Sequence, residues 1–141
     1  MYGFARGYLV FFLLVHGLFY AWLTWLFITD APTWFARLQI ELDSAVGYTE
    51  LYALYRGYMA AVSVFFLSAL VVDKLVPGVT WFAFLTAFGL VLVRGWRIFR
   101  EDVYNDLMLQ LFMVECLGLA AAIIALYCLY WISIRRRNPY I

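Results

Sequence analysis

Read from its first residue, the chain alternates between long apolar runs and short clusters of charge. The first run, Tyr8 to Thr29, holds one ionisable group, His16, and stops at Asp30-Ala31-Pro32. The second covers Leu51 to Val72 and ends at Asp73-Lys74, with the breaker pair Pro77-Gly78 just beyond. The third, Val79 to Ile98, turns basic at Arg94, Arg97 and Arg100, and the fourth, Leu107 to Ile134, ends in Arg135-Arg136-Arg137. About 20 apolar residues in a helix cross a hydrocarbon layer of ~30 Å, and each run is long enough. Backbone polar groups in lipid must be satisfied within the segment, so the runs predict helices. The alternation of a membrane barrel strand is missing. The first run is too long for a secretory signal and lacks a small-residue cleavage site, so it is read as a retained span.

The predicted fold is therefore all-α: one transmembrane domain over residues 1–141, an up-down four-helix bundle with spans near 8–29, 51–72, 79–98 and 107–134. The first connection is too long for a tight turn. Within it Trp34, Phe35, Leu38 and Leu42 recur at near-helical spacing, with Arg37, Glu41 and Asp43 between them. Pro32 suits a first helical turn, so this stretch predicts a short interfacial helix between the first and second spans. Small pairs at Gly17/Ala21, Gly57/Ala61 and Gly118/Ala122 are candidate points of close helix approach. No repeat and no broken helix is visible in the pattern.

Composition agrees with the pattern. Of 141 residues, 67% are hydrophobic and 13% charged, with a mean hydropathy of +0.89. A soluble domain is about half apolar and a quarter charged, so a disordered chain, a nucleic-acid-binding module and a water-soluble globule are excluded. The net charge of +1 conceals a strong polarity. With four spans, Arg6, Lys74 and the terminal arginines share one face with a single acid, Asp73. The other eight of the nine acids fall in the opposite half. Arg56 and Arg94 lie inside spans, and setting them aside leaves five basic residues against three (Arg37, Arg97, Arg100). By the positive-inside rule both termini are cytoplasmic, consistent with a bacterial inner-membrane protein.

Candidate chemistry follows from depth. Glu115 lies eight residues past Leu107, ~12 Å along the axis, and Arg56 and Arg94 sit about one turn inside their spans. Ionisable groups in hydrocarbon cost roughly 2.5–3.5 kcal/mol each and normally find a partner. Glu115 shares its face with Gly118 and Ala122, and Arg56 shares its face with Ala60 and Ser63, so these charges should point inward. Glu115 is expected to meet Arg94, Arg56 or both. Such a group is either a buried pair that fixes helix register or a ligand or proton site. In the first span His16, Tyr20 and Thr24 recur at i, i+4 and i+8, a polar stripe near mid-membrane. His16 is read as hydrogen-bonded through Tyr20 rather than as a metal ligand, because the chain has no second His. Together these residues suggest a polar cavity open to the non-cytoplasmic side, with Tyr48, Tyr52 and Tyr55 at its rim or in an aromatic belt. Arg97 and Glu101 read as a surface pair.

Other chemistries lack their residues. Cys116 and Cys128 share one helix ~18 Å apart and cannot bond to each other. No C-x-x-C, nucleophile elbow or phosphate-binding Gly loop occurs, so no cofactor and no metal site is predicted.

Several of these positions also follow the pattern of a known group. Pro32, Arg56-Gly57-Tyr58, Gly89 with Arg94, Glu101-Asp102 and Glu115 resemble the bacterial four-helix membrane proteins grouped as domain-of-unknown-function 4345. That group has a Pro after the first span, Arg-Gly and Tyr opening the second, Gly then Arg ending the third, an acidic turn, and a Glu within the fourth. The chain departs from it at Met59-Ala60, where the group has Gly-Gly, and in lacking a Gly in the acidic turn. The resemblance implies a four-helix membrane fold and no particular activity. Two functions remain open on the residues: a non-catalytic accessory subunit of a larger membrane assembly or homo-oligomer, and a lipid, isoprenoid or quinone binder, enzymatic or not, with Arg56, Arg94 and Glu115 around its ligand.

Overall fold

The computed structural model describes residues 2–41, 44–102 and 104–137, with no side-chain account of residues 2 and 135–137. Within these the chain is helical, and no strand occurs among the described residues. Helix α1 covers Tyr2–Arg37 and α2 Ala45–Tyr52. A π-helical turn, Ala53–Tyr58, leads directly into α3, Met59–Ser68. A 3₁₀ turn at Asp73–Leu75 precedes α4, Val76–Arg100, and α5 is Asp106–Arg137. Four helical segments are thus long and apolar enough to cross a membrane: α1, the continuous Ala45–Ser68 rod, Asp73–Arg100 and α5.

Two irregularities interrupt these helices, the first at the expected end of the first span and the second, the π turn, unforeseen. Asp30 in α1 has φ −151° and ψ 57°, outside helical geometry. Two residues on, Pro32 brings no N–H for the carbonyl of Ile28, and its ring would press on that carbonyl in a straight helix. The break at Asp30 relieves this, and the helix then resumes. The short helix expected between the first two spans is present as residues 31–37, set off from the rest of α1 by the kink at Asp30. Leu42 and Asp43, which that expectation included, lie outside the described residues. The second irregularity is the π turn. It carries an extra residue within an otherwise α-helical rod, which resets the facing of the side chains before it.

α1 closes with Gln39 in the left-handed region at φ 56°. Ile40 N–H donates to Phe35 O at 2.9 Å and Gln39 N–H to Ala36 O at 3.0 Å, the bond pair of a Schellman cap. Asp102 adopts a similar φ of 55° after α4, so it supplies the turn conformation usually left to Gly. Ser44 caps α2, its Oγ accepting from Gly47 N–H at 3.1 Å.

Two clusters of buried side chains organise the helices. The larger joins Leu9, Phe12 and Leu13 of α1, Val62 and Phe66 of α3, Val79 and Ala83 of α4, and Ala122, Ala125 and Cys128 of α5. Ala5 of α1 and Cys128 of α5 both belong to it, and Tyr8 Oη donates to Ala121 O between the same two helices, so the half of the molecule that holds this cluster is called the termini end. The smaller cluster, at the far end, is built on Phe27, Ala31 and Phe35 of α1 against Leu51, Tyr52 and Tyr55. In that half α4 and α5 pack on each other through Phe99 and Phe112, whose ring centroids are 5.7 Å apart.

Of the small pairs, Gly17 is a true point of approach. A Cβ built there would lie 2.6 Å from Leu67 Cδ2, and Ser63 Oγ donates to Gly17 O at 2.8 Å. Ala122 is fully buried, whereas Ala21 and Ala61 are exposed and Gly57 and Gly118 have nothing within 4 Å of a built Cβ. Those last two glycines do not mark helix contacts.

Candidate functional site

The groups with the most chemistry lie beyond the sealed core, toward the far end. Arg94 is six residues from the end of α4, ~9 Å along the axis, and Glu115 is nine residues into α5, ~14 Å. Arg94 Nε donates to Glu115 Oε2 at 2.8 Å and a terminal guanidinium nitrogen donates to Oε1 at 2.9 Å. This bidentate geometry matches the planar guanidinium fork to both carboxylate oxygens. The side chains are 23% and 14% exposed, so the pair sits in a partly desolvated wall where such bonds are strong. Both oxygens of Glu115 and one edge of Arg94 are thereby committed to each other.

Arg56 does not share that carboxylate. It lies in the π turn, and its Nε donates to Phe27 O at 2.8 Å, across to α1. Its guanidinium carbon lies 3.9 Å from the centroid of the Tyr52 ring, a cation–π contact. The acceptor follows from the break in α1. Phe27 O would ordinarily accept from Ala31 N–H, immediately beyond Asp30, where the chain leaves helical geometry. Arg56 therefore acts as a side-chain cap on the first segment of α1, and its charge suits the negative end of a helix. Stacking of Phe27 on Tyr55, with centroids 4.3 Å apart, clamps the same junction.

The polar stripe of α1 resolves differently from expectation. His16 Nδ1 donates to Phe12 O at 2.9 Å, and its ring stacks on Phe66 at 5.4 Å rather than bonding through Tyr20. Thr24 Oγ1 donates to Tyr20 O at 2.9 Å. Both polar groups are satisfied by carbonyls one turn back, as is common when a helix has no water to bond. Tyr20 itself packs on Phe66 with centroids 5.9 Å apart.

Phe27, Ser63 and Tyr8 were not singled out by sequence as partners, yet each makes a defining inter-helix bond. Tyr8 Oη donates to Ala121 O at 2.9 Å. Only the Asp30-Ala31-Pro32 breaker carried a readable hint, since a broken helix frees a carbonyl. Of the tyrosines expected at the rim of a polar cavity, Tyr48 lines an open depression of about 740 Å³ with Pro32, Phe35, Gln39, Ile40 and Glu41, whereas Tyr52, Tyr55, Arg56, Arg94 and Glu115 are not in its lining. The Tyr48 and Tyr52 ring centroids lie 6.4 and 5.9 Å from that of Phe35. Among the described residues, no three His, Cys, Asp or Glu side chains gather as metal ligands would. Arg97 pairs with Glu101 one turn along α4, on the surface. Neither a family model, nor a curated protein, nor a solved structure matches this chain.

Proposed function

We propose that the chain is a polytopic membrane protein that acts by association, as a non-catalytic accessory or structural subunit of a larger membrane assembly or homo-oligomer. In this reading the four helical segments cross the bilayer up and down, with both termini in the cytoplasm of a bacterium. The observation that carries it is the bidentate Arg94–Glu115 pair. The carboxylate of Glu115 is turned onto a neighbouring helix, an arrangement that supports a role in fixing the register of α4 on α5.

A surface suited to association is available on α1. Phe4, Phe11, Val15, Leu18, Trp22 and Trp25 are exposed and, from Phe11 on, alternate at four- and three-residue spacing, the seam by which helices interdigitate. Purification in mild detergent, followed by native mass spectrometry, tests the proposal. A defined oligomer or stoichiometric complex is expected, with cysteines at Phe11 and Leu18 cross-linking to the neighbour. A monodisperse monomer that cross-links to nothing overturns it.

Arg56 favours a second reading, binding of a lipid, isoprenoid or quinone at the far end. Its Nε is held by Phe27 O, and no carboxylate among the described residues lies within ion-pair distance of its guanidinium. The resemblance to the four-helix group of unknown function is compatible with both readings and adds no activity to either.

A further inference from the structure

Three ionisable side chains lie at depth in the far half: Arg56, Arg94 and Glu115. Their charges sum to +1, and the only negative one is held by Arg94 through both oxygens. Arginine does not lose its proton in proteins, so the surplus positive charge of Arg56 is permanent. Arg56 is half-buried, its guanidinium carbon 3.9 Å from the Tyr52 ring centroid and its Nε bound to Phe27 O. Among the described residues no carboxylate lies within ion-pair distance of it. A cation in this position needs an anion, and a planar fork with a free edge matches a phosphate.

The surroundings suit a particular source of phosphate. Arg56 is six residues, ~9 Å along the axis, from Glu50, an exposed acid at the mouth of the rod. A long arginine side chain reaches headgroup level over such a distance. Tyr52 and Tyr48 lie one and two turns nearer the mouth, and neither hydroxyl donates to a protein acceptor among the described residues. Tyr48 also lines an open depression in which Phe35 and Ile40 offer apolar contact to an acyl chain beside the polar Gln39 and Glu41.

We infer that Arg56, with the Tyr52 and Tyr48 hydroxyls, forms a site for the phosphate of an anionic phospholipid at the junction of α1 and the π turn. This rests on the binding reading above and narrows it: a neutral quinone or polyprenol would leave the guanidinium uncompensated. It is independent of the subunit reading.

The full chain is reconstituted in mixed phosphatidylcholine and phosphatidylglycerol vesicles, extracted into mild detergent, and its retained lipid measured by native mass spectrometry. Wild type is expected to retain phosphatidylglycerol in preference to phosphatidylcholine. Charge-assisted bonds to a phosphate correspond to roughly tenfold or more in affinity, and Arg56→Gln should lose retention on that scale. Arg97→Gln, a change in a surface pair, should leave it unaltered. Because Arg56→Gln also removes the cap on α1, Tyr52→Phe provides a gentler probe. It keeps the ring beneath the guanidinium and removes only the hydroxyl, and retention should fall severalfold. Equal retention by wild type, Arg56→Gln and Tyr52→Phe overturns the site. Retention of a neutral quinone or polyprenol in place of phospholipid overturns the ligand class while leaving the binding reading standing. A wild-type protein stripped of every amphiphile overturns both.

Discussion

At the scale of single residues, the Arg94–Glu115 fork has the clearest consequence, because removing one partner strands the other. A buried arginine deprived of its carboxylate cannot neutralise itself, and breaking a buried pair costs about 3–5 kcal/mol. At 23% and 14% exposure the two side chains are not sealed, so Glu115→Leu should fall toward the lower end of that range. Replacing both, Arg94→Leu with Glu115→Leu, removes the stranded charge and should return stability to within about 1 kcal/mol of wild type, since apolar replacements of whole pairs are often neutral. A double-mutant cycle by denaturant unfolding in mixed micelles measures this directly. Additive single effects would mean that the pair does not tie α4 to α5. The candidate site was readable in the sequence to this depth and no further. An acid and two arginines inside apolar runs are rare enough to be noticed. Which arginine takes the acid was not readable, because Arg56 and Arg94 sit at similar depth in their runs. The choice is made by the π turn and the break at Asp30, which give Arg56 a carbonyl on α1 instead.

At the scale of elements, the approach of α1 to α3 depends on Gly17. Its carbonyl accepts from Ser63, and its missing side chain makes room for Leu67. The backbone nitrogen of Leu67 would lie an ordinary 3.5 Å from an added Cβ, but the Leu67 Cγ and Cδ2 atoms would be at 2.7 and 2.6 Å. Gly17→Ala therefore requires Leu67 to change rotamer, and overpacking of this kind costs about 1–3 kcal/mol. Combining it with Leu67→Ala should recover part of the loss, and thermal unfolding in detergent gives the comparison. If Gly17→Ala melts like wild type, the contact is looser than these distances state. The helices themselves were legible because each apolar run ends at charge or at a breaker. The π turn was not, since Ala53 to Tyr58 contains no Pro and reads as ordinary membrane helix. Asp30-Ala31-Pro32 is legible as the end of one helix and the start of a short second one. In the fold Asp30 is the kink between the two, and the seven residues after it pack Phe35 into the far cluster.

At the scale of the whole molecule, the proposed orientation depends on which arginines count as loop charges, and the contacts give physical grounds for the choice. Arg94 is neutralised by Glu115 and Arg56 is fixed on Phe27 O, so neither is available to interact with the membrane surface as a free charge. Of the remaining far-end arginines, Arg97 is paired with Glu101, while Arg37 and Arg100 lie over the rings of Trp34 and Trp96 at 5.1 and 6.0 Å. The termini end has Arg6, Lys74 and the Arg135-Arg136-Arg137 triplet against Asp73 alone. An excess of basic residues near span ends holds that face in the cytoplasm, so the far end should face outward. Single cysteines at Gly3, Val71 and Tyr104, all exposed, report on the two ends once Cys116 and Cys128 are replaced by Ser. A membrane-impermeant maleimide added to intact spheroplasts should label Tyr104→Cys, and should reach Gly3→Cys and Val71→Cys only after lysis. The reverse pattern would put the arginine triplet outside and overturn the orientation. Labelling of Gly3→Cys and Tyr104→Cys from the same side would go further, because it would remove the four-crossing topology itself. Accessibility of Tyr104→Cys from outside also has a bearing on Arg56, since the same far end would then present that guanidinium to the outer leaflet.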